Sequence, residues 1–271
     1  MAHPEVEVFA WNAVRPLPDE AGRVTRQPVN NFGDLLGPYI VTELLRRRGL
    51  RPDSATASRR LLSVGSVMHY ARDGDVVWGT GINGKVGRVR YRGIALDIRA
   101  VRGPLTARRL RRAGHTVPSV YGDPGTLVGT LWARDHFKRH ELASSALVVP
   151  NFNDLASVTV DTPEARLLDP RRPIDHCLSA IASADLVVAS SLHGLIVAEA
   201  FGVPAIRFRS ASEPDFKYED YYRATGRSTH PCAATAEEAL DLGRRAATDP
   251  TLEPTPLLEA FPWDLWEQPA E

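Results

Sequence analysis

The sequence predicts an α/β fold, with parallel sheets sandwiched by helices and built twice along one chain. Three observations carry this. Short apolar runs alternate with segments of helical period, glycine- or proline-bearing loops punctuate the joints, and the rhythm breaks once at a charged stretch before restarting. At 271 residues the chain is long enough for one large domain or two of roughly 130 residues, either with a real core.

The elements follow in order. Val6 to Trp11 reads as a first strand, and from Asp34 to Arg48 apolar residues fall at 36, 40, 41, 44 and 45, which is helical spacing. Val76 to Trp78 and Ile94 to Val101 read as strands. A helix then starts at Gly103-Pro104 and ends before Gly114, with proline first and glycine last as helix termini prefer. Val120 to Gly122 reads as a strand and Leu127 to Trp132 as a helix. The charged run Arg134 to Glu141 serves as boundary, giving a first domain over 1–135 and a second over 136–271. Past it come strands at Ala146 to Val149, Arg166 to Leu168, Asp185 to Ala189 and Ala205 to Phe208. Helices are expected at Ile174 to Ala182, Gly194 to Phe201, Tyr218 to Ala224 and Ala236 to Ala247. The segment Pro250 to Pro262 reads as irregular, packing back across a domain through Trp263 and Trp266.

Charge narrows the function. Thirty-three Lys and Arg balance 33 Asp and Glu, so the net charge is zero and no whole-surface basic field exists for general binding of nucleic acid. Only Lys85, Lys138 and Lys217 are lysines, which leaves 30 arginines, each able to grip a carboxylate or phosphate with two parallel bonds. Cys177 and Cys232, the two cysteines, have no disulfide or zinc spacing. The chain opens Met-Ala-His-Pro-Glu with no basic and apolar leader, and no apolar run approaches membrane-spanning length. A cytoplasmic protein is the expectation.

Several strand-to-loop junctions carry polar side chains, and in parallel α/β sheets ligands sit outside the carboxyl ends of strands. The strongest is Ser190-Ser191-Leu192-His193-Gly194, where a strand meets a helix whose free N–H groups favour an anion. The plainer alternative is a serine cap beside a packed histidine. Arg102 ends a strand ahead of a second helix, where a guanidinium and backbone donors can converge on an anion; a solvated arginine is the alternative. Asn31 and Asp34 lie in a loop before the first helix, where both are also natural turn and capping residues. Gly79 to Gly84 matches G-x-G-x-x-G, yet the residues after it alternate and offer no helix to receive a pyrophosphate, so a dinucleotide site is disfavoured. Gly81 and Asn83 there bring bare backbone and an amide toward some ligand. Asp123-Pro124-Gly125 and Asn151 to Asp154 follow further strands, and each alone reads as a turn.

Taken in order, these segments resemble the polysaccharide pyruvyl transferases. The resemblance runs through N-x-G-D-x-L at 31–36, the glycine loop at 78–84, V-R-G-P-L-T at 101–106 and G-D-P at 122–124. It continues through V-x-P-x-x-x-D at 148–154, S-S-L-H-G-L-I-x-A-E-A-x-G-V-P at 190–204 and K-x-x-D-Y-Y at 217–222. It implies a GT-B-like pair of Rossmann-like domains facing a cleft, the first holding the acceptor and the second the donor. It also implies transfer of an enolpyruvyl-derived group from phosphoenolpyruvate to two sugar hydroxyls, giving a pyruvate ketal on a polysaccharide, glycolipid precursor or glycosylated metabolite. His193 and Arg102 take the catalytic positions. Ser191 stands where many members have arginine, and Asn151 where many have histidine.

The chemistry suits these residue types. A histidine exchanges protons near neutral pH and so serves as acid to carbon and base to a hydroxyl. Arg102, with Lys217 or Arg207, is expected to hold the donor's charges, helped by N–H groups from Ser191 to Gly194. Asn31, Asp34 and Asn83 are expected to position the acceptor, a sugar or lipid-linked saccharide, the latter allowing peripheral membrane contact. Gly81, Asn151, Asp154 and Ser190 complete the expected binding set, with no metal, no resident cofactor and no nucleic-acid partner. Two other readings stand beside this one: a GT-B glycosyltransferase using a nucleotide sugar, and a catalytically silent carbohydrate-binding relative.

Overall fold

A computed structural model describes residues 6–18, 22–51, 59–245 and 253–267. The chain starts with β1 (Val6–Phe9), an antiparallel hairpin of β2 (Val14–Pro18) and β3 (Val24–Pro28), and α1 (Phe32–Arg47). Strands β4 (Arg59–Leu62), β5 (Asp75–Trp78) and β6 (Leu96–Ala100) and helix α2 (Pro104–Arg111) follow. A first sheet has order β1-β4-β5-β6, all parallel. The expected strand at Val120 to Gly122 is reduced to one bridge, Val101 to Tyr121, because Gly122 and Pro124 turn the chain at once into a capped 3-10 turn.

Two short helices, α3 (Val128–Leu131) and α4 (Arg134–Phe137), lead to β7 (Ala146–Val149). There follow β8 (Ala165–Leu167), α5 (Ile174–Ala182), β9 (Val187–Ala189), α6 (Leu192–Ala200) and β10 (Ala205–Phe208). The last elements are α7 (Phe216–Ala224), β11 (Cys232–Ala233), α8 (Ala236–Arg245) and α9 (Thr255–Glu259). The second sheet has order β11-β10-β9-β7-β8, again all parallel. The α/β class with two parallel sheets, compatible with Rossmann-like domains, is therefore present. β7 and β9 are uninterrupted apolar runs, as strands covered on both faces of a parallel sheet are. β5, β7, β9 and β10 are buried at every position.

The segment after residue 252 is helical where an irregular stretch is expected. α9 begins with Pro256 in its first turn, a place that tolerates the missing N–H. Residues Pro250 to Leu252, and Ala246 and Ala247 at the end of the helix expected over Ala236 to Ala247, lie outside the described residues. The Trp78 indole N–H donates to the Leu257 carbonyl at 2.8 Å, Phe261 meets Trp78 edge-on, and the Arg48 guanidinium lies 3.7 Å over the Trp263 ring. Helix α1 packs onto the second half: the Phe32 N–H donates to Pro170 O at 2.9 Å, and the Tyr39 hydroxyl to Asp175 at 2.7 Å. One apolar core consequently runs from Leu36, Leu44 and Trp78 through to Leu178 and Ile196.

Candidate active site

The carboxyl ends of both sheets open into one cavity of about 540 Å³. Its walls are loops that follow β1, β4 and β5 on one side and β7, β9 and β10 on the other, the place where parallel sheets bind ligands. Asn31, Asp34, Asn83, Asn151, Ser191, His193 and Lys217 all line it. These are seven residues that the sequence, or the resemblance it carries, points to, separated by up to 186 positions and brought within one space.

His193 stands in the first turn of α6, 7% exposed. Ser191 is the N-cap, its hydroxyl accepting from the Gly194 N–H at 3.2 Å, while Leu192 and His193 carry first-turn N–H groups beside the cavity. The imidazole is held from two sides. A Cβ on Gly33 would lie 2.3 Å from its Nδ1, so only glycine lets α1 approach this closely. On the other side, Nε2 lies 3.7 Å from Asp123 Oδ2. Asp34, one residue past that glycine, accepts from the Asn31 amide at 2.6 Å; burial raises its pKa, against the lowering pull of His193 and Lys217.

Lys217, in the first turn of α7, is buried and pairs with Glu213 at 3.1 Å. Burial pushes the ammonium below the usual lysine range although Glu213 opposes the shift. Glu213 also meets Lys85 from the first half and accepts from the Asn153 amide at 3.2 Å. Burial raises the Glu213 carboxyl, but the two ammoniums win and leave it below the usual range. Glu213, Lys85, Ser66 and His69, like Trp11 just before the hairpin and Arg15 within it, escape a sequence reading. The one signal for Glu213 is its i,i+4 spacing to Lys217.

Six expected site residues stand behind the cavity wall. Arg102 is 0% exposed: it donates to Ser66 Oγ at 2.7 Å and Ile82 O at 2.8 Å, and lies 3.3 Å from Asp220. The anion on which guanidinium and helix donors converge is the protein's own. Asp220 accepts from the N–H groups of Leu105 and Thr106 at 2.8 and 2.9 Å and from the Thr106 hydroxyl at 2.6 Å. Gly81 is pressed against the same guanidinium, a Cβ there falling 2.3 Å from Arg102 Cζ, so the glycine loop cradles an arginine rather than a pyrophosphate. Arg207 turns away from the cavity to pair with Asp215, with its guanidinium 3.8 Å over the Tyr218 ring. Ser190 donates to Asp154 Oδ2 at 3.2 Å and accepts from the Asn151 N–H, tying two wall loops together. Asp154 also accepts from Ser210 and Ser212, which fixes a third loop. Gly194 packs on Val149 and gives α6 its close seat on the sheet.

Two parallel sheets with a polar cavity at their carboxyl ends define the class: an α/β protein with a polar cavity between its sheets. Residues 31–212 match the polysaccharide pyruvyl transferase family, about two thirds of the chain, and the chain belongs to that family. It is similar to succinoglycan biosynthesis protein ExoV of Rhizobium meliloti (strain 1021), 30% identical over 157 residues. That stretch covers 55% of this chain and 48% of ExoV, so the chain matches about half the length of this curated relative. A crystal structure of a functionally uncharacterised protein from Klebsiella pneumoniae shares the fold, with a TM-score of 0.52 and 11% identity over 86% of this chain and 93% of that one. Among the described residues no helix is long and apolar enough to cross a membrane.

Proposed function

We propose that the protein transfers the enolpyruvyl-derived group of phosphoenolpyruvate to a pair of sugar hydroxyls, forming a cyclic pyruvate ketal on a polysaccharide, glycolipid precursor or glycosylated metabolite. The observation that carries the reading is His193 at the open N-terminus of α6, inside a two-walled cavity that also holds the buried Lys217. The sheets facing this cleft constitute the GT-B-like arrangement, with residues 1–135 as the acceptor side and 136–271 as the donor side. Donor and acceptor meet in the cytoplasm, and no resident cofactor takes part.

The reaction needs a proton delivered to the donor's methylene carbon, which becomes the methyl group. One sugar hydroxyl adds to the adjacent carbon, phosphate leaves, and the second hydroxyl closes the ring. Of the two hydroxyl protons, one balances the carbon protonation and the other departs with phosphate. His193 is placed to carry the proton to carbon and to accept one from the attacking hydroxyl. Lys217 and the first-turn N–H groups of α6 oppose the donor's carboxylate and phosphate charge in a site where burial strengthens electrostatics. Asn31, Asp34 and Asn83 on the facing wall hydrogen-bond the acceptor. Arg102 acts from behind Ser66 as a positioning residue.

The test is release of phosphate from phosphoenolpyruvate in the presence of saccharide acceptors, run beside calorimetric titration with uridine and guanosine diphosphate sugars. Acceptor-dependent phosphate release is expected. Binding of a nucleotide sugar with none of phosphoenolpyruvate would replace this reading with a glycosyltransferase.

A further inference from the structure

The geometry points to Asp123 as the residue that orients His193 and leaves Nδ1 as its reacting nitrogen. The inference rests on the reading of His193 as the proton carrier. Asp123 is fully buried and ends in two differently used oxygens. Oδ1 accepts from the Gly125 N–H at 2.9 Å and so caps the turn at Pro124–Leu127. Oδ2 has no hydrogen-bond partner, and neither does His193 Nε2, which is also buried and lies 3.7 Å away. Two orphaned buried polar atoms of complementary kind therefore face one another. An unpaired buried polar group is unfavourable, so closure is favoured. Reaching the ~2.8 Å of a charge-assisted bond takes about 1 Å of movement.

A carboxylate only accepts, so the bond requires the proton on Nε2. The neutral ring then carries its lone pair on Nδ1, the edge beside Gly33, which lies in the chain between the cavity-lining Asn31 and Asp34. When that edge takes a proton, Asp123 also stabilises the imidazolium that results. Asp123 is a positioning residue: it is not among the cavity-lining residues.

The Asp123→Asn variant tests this sharply. The Gly125 N–H holds the remaining side-chain oxygen in the cap, so the new amide NH2 faces His193 Nε2 and can only donate. The ring must then carry its proton on Nδ1. Nitrogen-15 spectra of the imidazole side chains, with His193 identified by its loss in His193→Gln, are expected to show the Nε2–H tautomer in the wild type and Nδ1–H in the variant. Turnover falls on the order of 10²–10⁴-fold, as a wrong tautomer does in hydrolytic triads, with little change in KM for phosphoenolpyruvate. Wild-type protein already in the Nδ1–H form overturns the proposal, and this readout stands even if the variant does not fold. An unchanged tautomer in the variant, or an inverted tautomer with full turnover, overturns it too. Absence of any donor-dependent phosphate release in the wild type would instead sink the pyruvyl-transfer reading and leave the tautomer result intact.

Discussion

The N-termini of α2 and α6 occupy equivalent places, each just past the carboxyl end of a parallel strand, and they are finished in opposite ways. At α2 the free N–H groups of Leu105 and Thr106 are consumed by Asp220, whose charge also lies 3.3 Å from the buried Arg102. At α6 the only cap is the short Ser191 hydroxyl, and the first turn opens on the cavity beside His193. One end is closed by the protein's own anion, and the other opens on the cavity, where the proposed donor would bring its charge. A helix N-terminus thus becomes a site only where no carboxylate from the same chain reaches it first.

The contrast breaks hardest at the closed end. Asp220→Ala removes the acceptor of three hydrogen bonds and leaves Arg102 buried without its counter-charge. A loss of about 3–5 kcal/mol is expected in chemical denaturation. A loss below about 1 kcal/mol would mean that the α2 end is not the structural joint described. At the open end the effect falls on chemistry. His193→Gln is expected to lower phosphoenolpyruvate-dependent turnover on the order of 10²–10³-fold in a protein that still folds, since a glutamine amide can also donate toward Asp123. Full turnover would remove His193 from the mechanism.

Gly33→Ala probes the same end from the facing wall. A methyl group 2.3 Å from His193 Nδ1 forces the ring or the start of α1 to move. About 1–3 kcal/mol of stability is expected to be lost, together with at least tenfold in turnover. Wild-type rates in a folded variant would show that the tight seat of the ring is immaterial. Ser191→Ala is milder: loss of one N-cap bond costs about 1 kcal/mol in thermal or chemical denaturation.

The same contrast explains what was legible in the sequence. Most strands were, because buried parallel strands tend to be short apolar runs, and β7 and β9 fall where such runs stand in the sequence; β4, which opens on Arg59-Arg60, and the two-residue β11 were not. The hairpin β2–β3 was not, since its two strands carry three prolines and expose Val14 and Val24, with no apolar face to alternate. At the site, local motifs located both helix ends correctly, but V-R-G-P-L-T and K-x-x-D-Y-Y gave no sign that they are partners. Arg102 and Asp220 lie 118 positions apart, and the contact that makes one structural is purely tertiary. Glu199 in the S-S-L-H-G motif is a similar case, buried to pair with Arg227 at 2.7 Å and to accept from the Tyr221 hydroxyl. Glu213 went unread because an i,i+4 pair on a helix edge looks like an ordinary solvated pair until burial is known.

The smallest expected effect sharpens the comparison through its carboxylates. Asp220 meets three donors and a guanidinium, whereas Asp34 has one neutral amide donor, Asn31, and burial raises its pKa above the usual aspartate value of about 3.8. The sign follows from linkage. A carboxyl whose pKa is higher folded than unfolded binds its proton more tightly in the native state, so stability falls as pH rises from about 3.8 through the raised value and stays reduced above it. Asp34→Asn removes that dependence. Denaturation at neutral pH is expected to find the variant slightly more stable than the wild type, with the gap closing as pH drops toward 3.8, while acceptor KM rises. A carboxylate retained at a cost to the fold, beside His193 and Lys217, is what a binding wall looks like. If Asp34→Asn instead destabilises at neutral pH, the carboxylate belongs with Asp220 as a structural anion, and the open end is narrower than the cavity suggests.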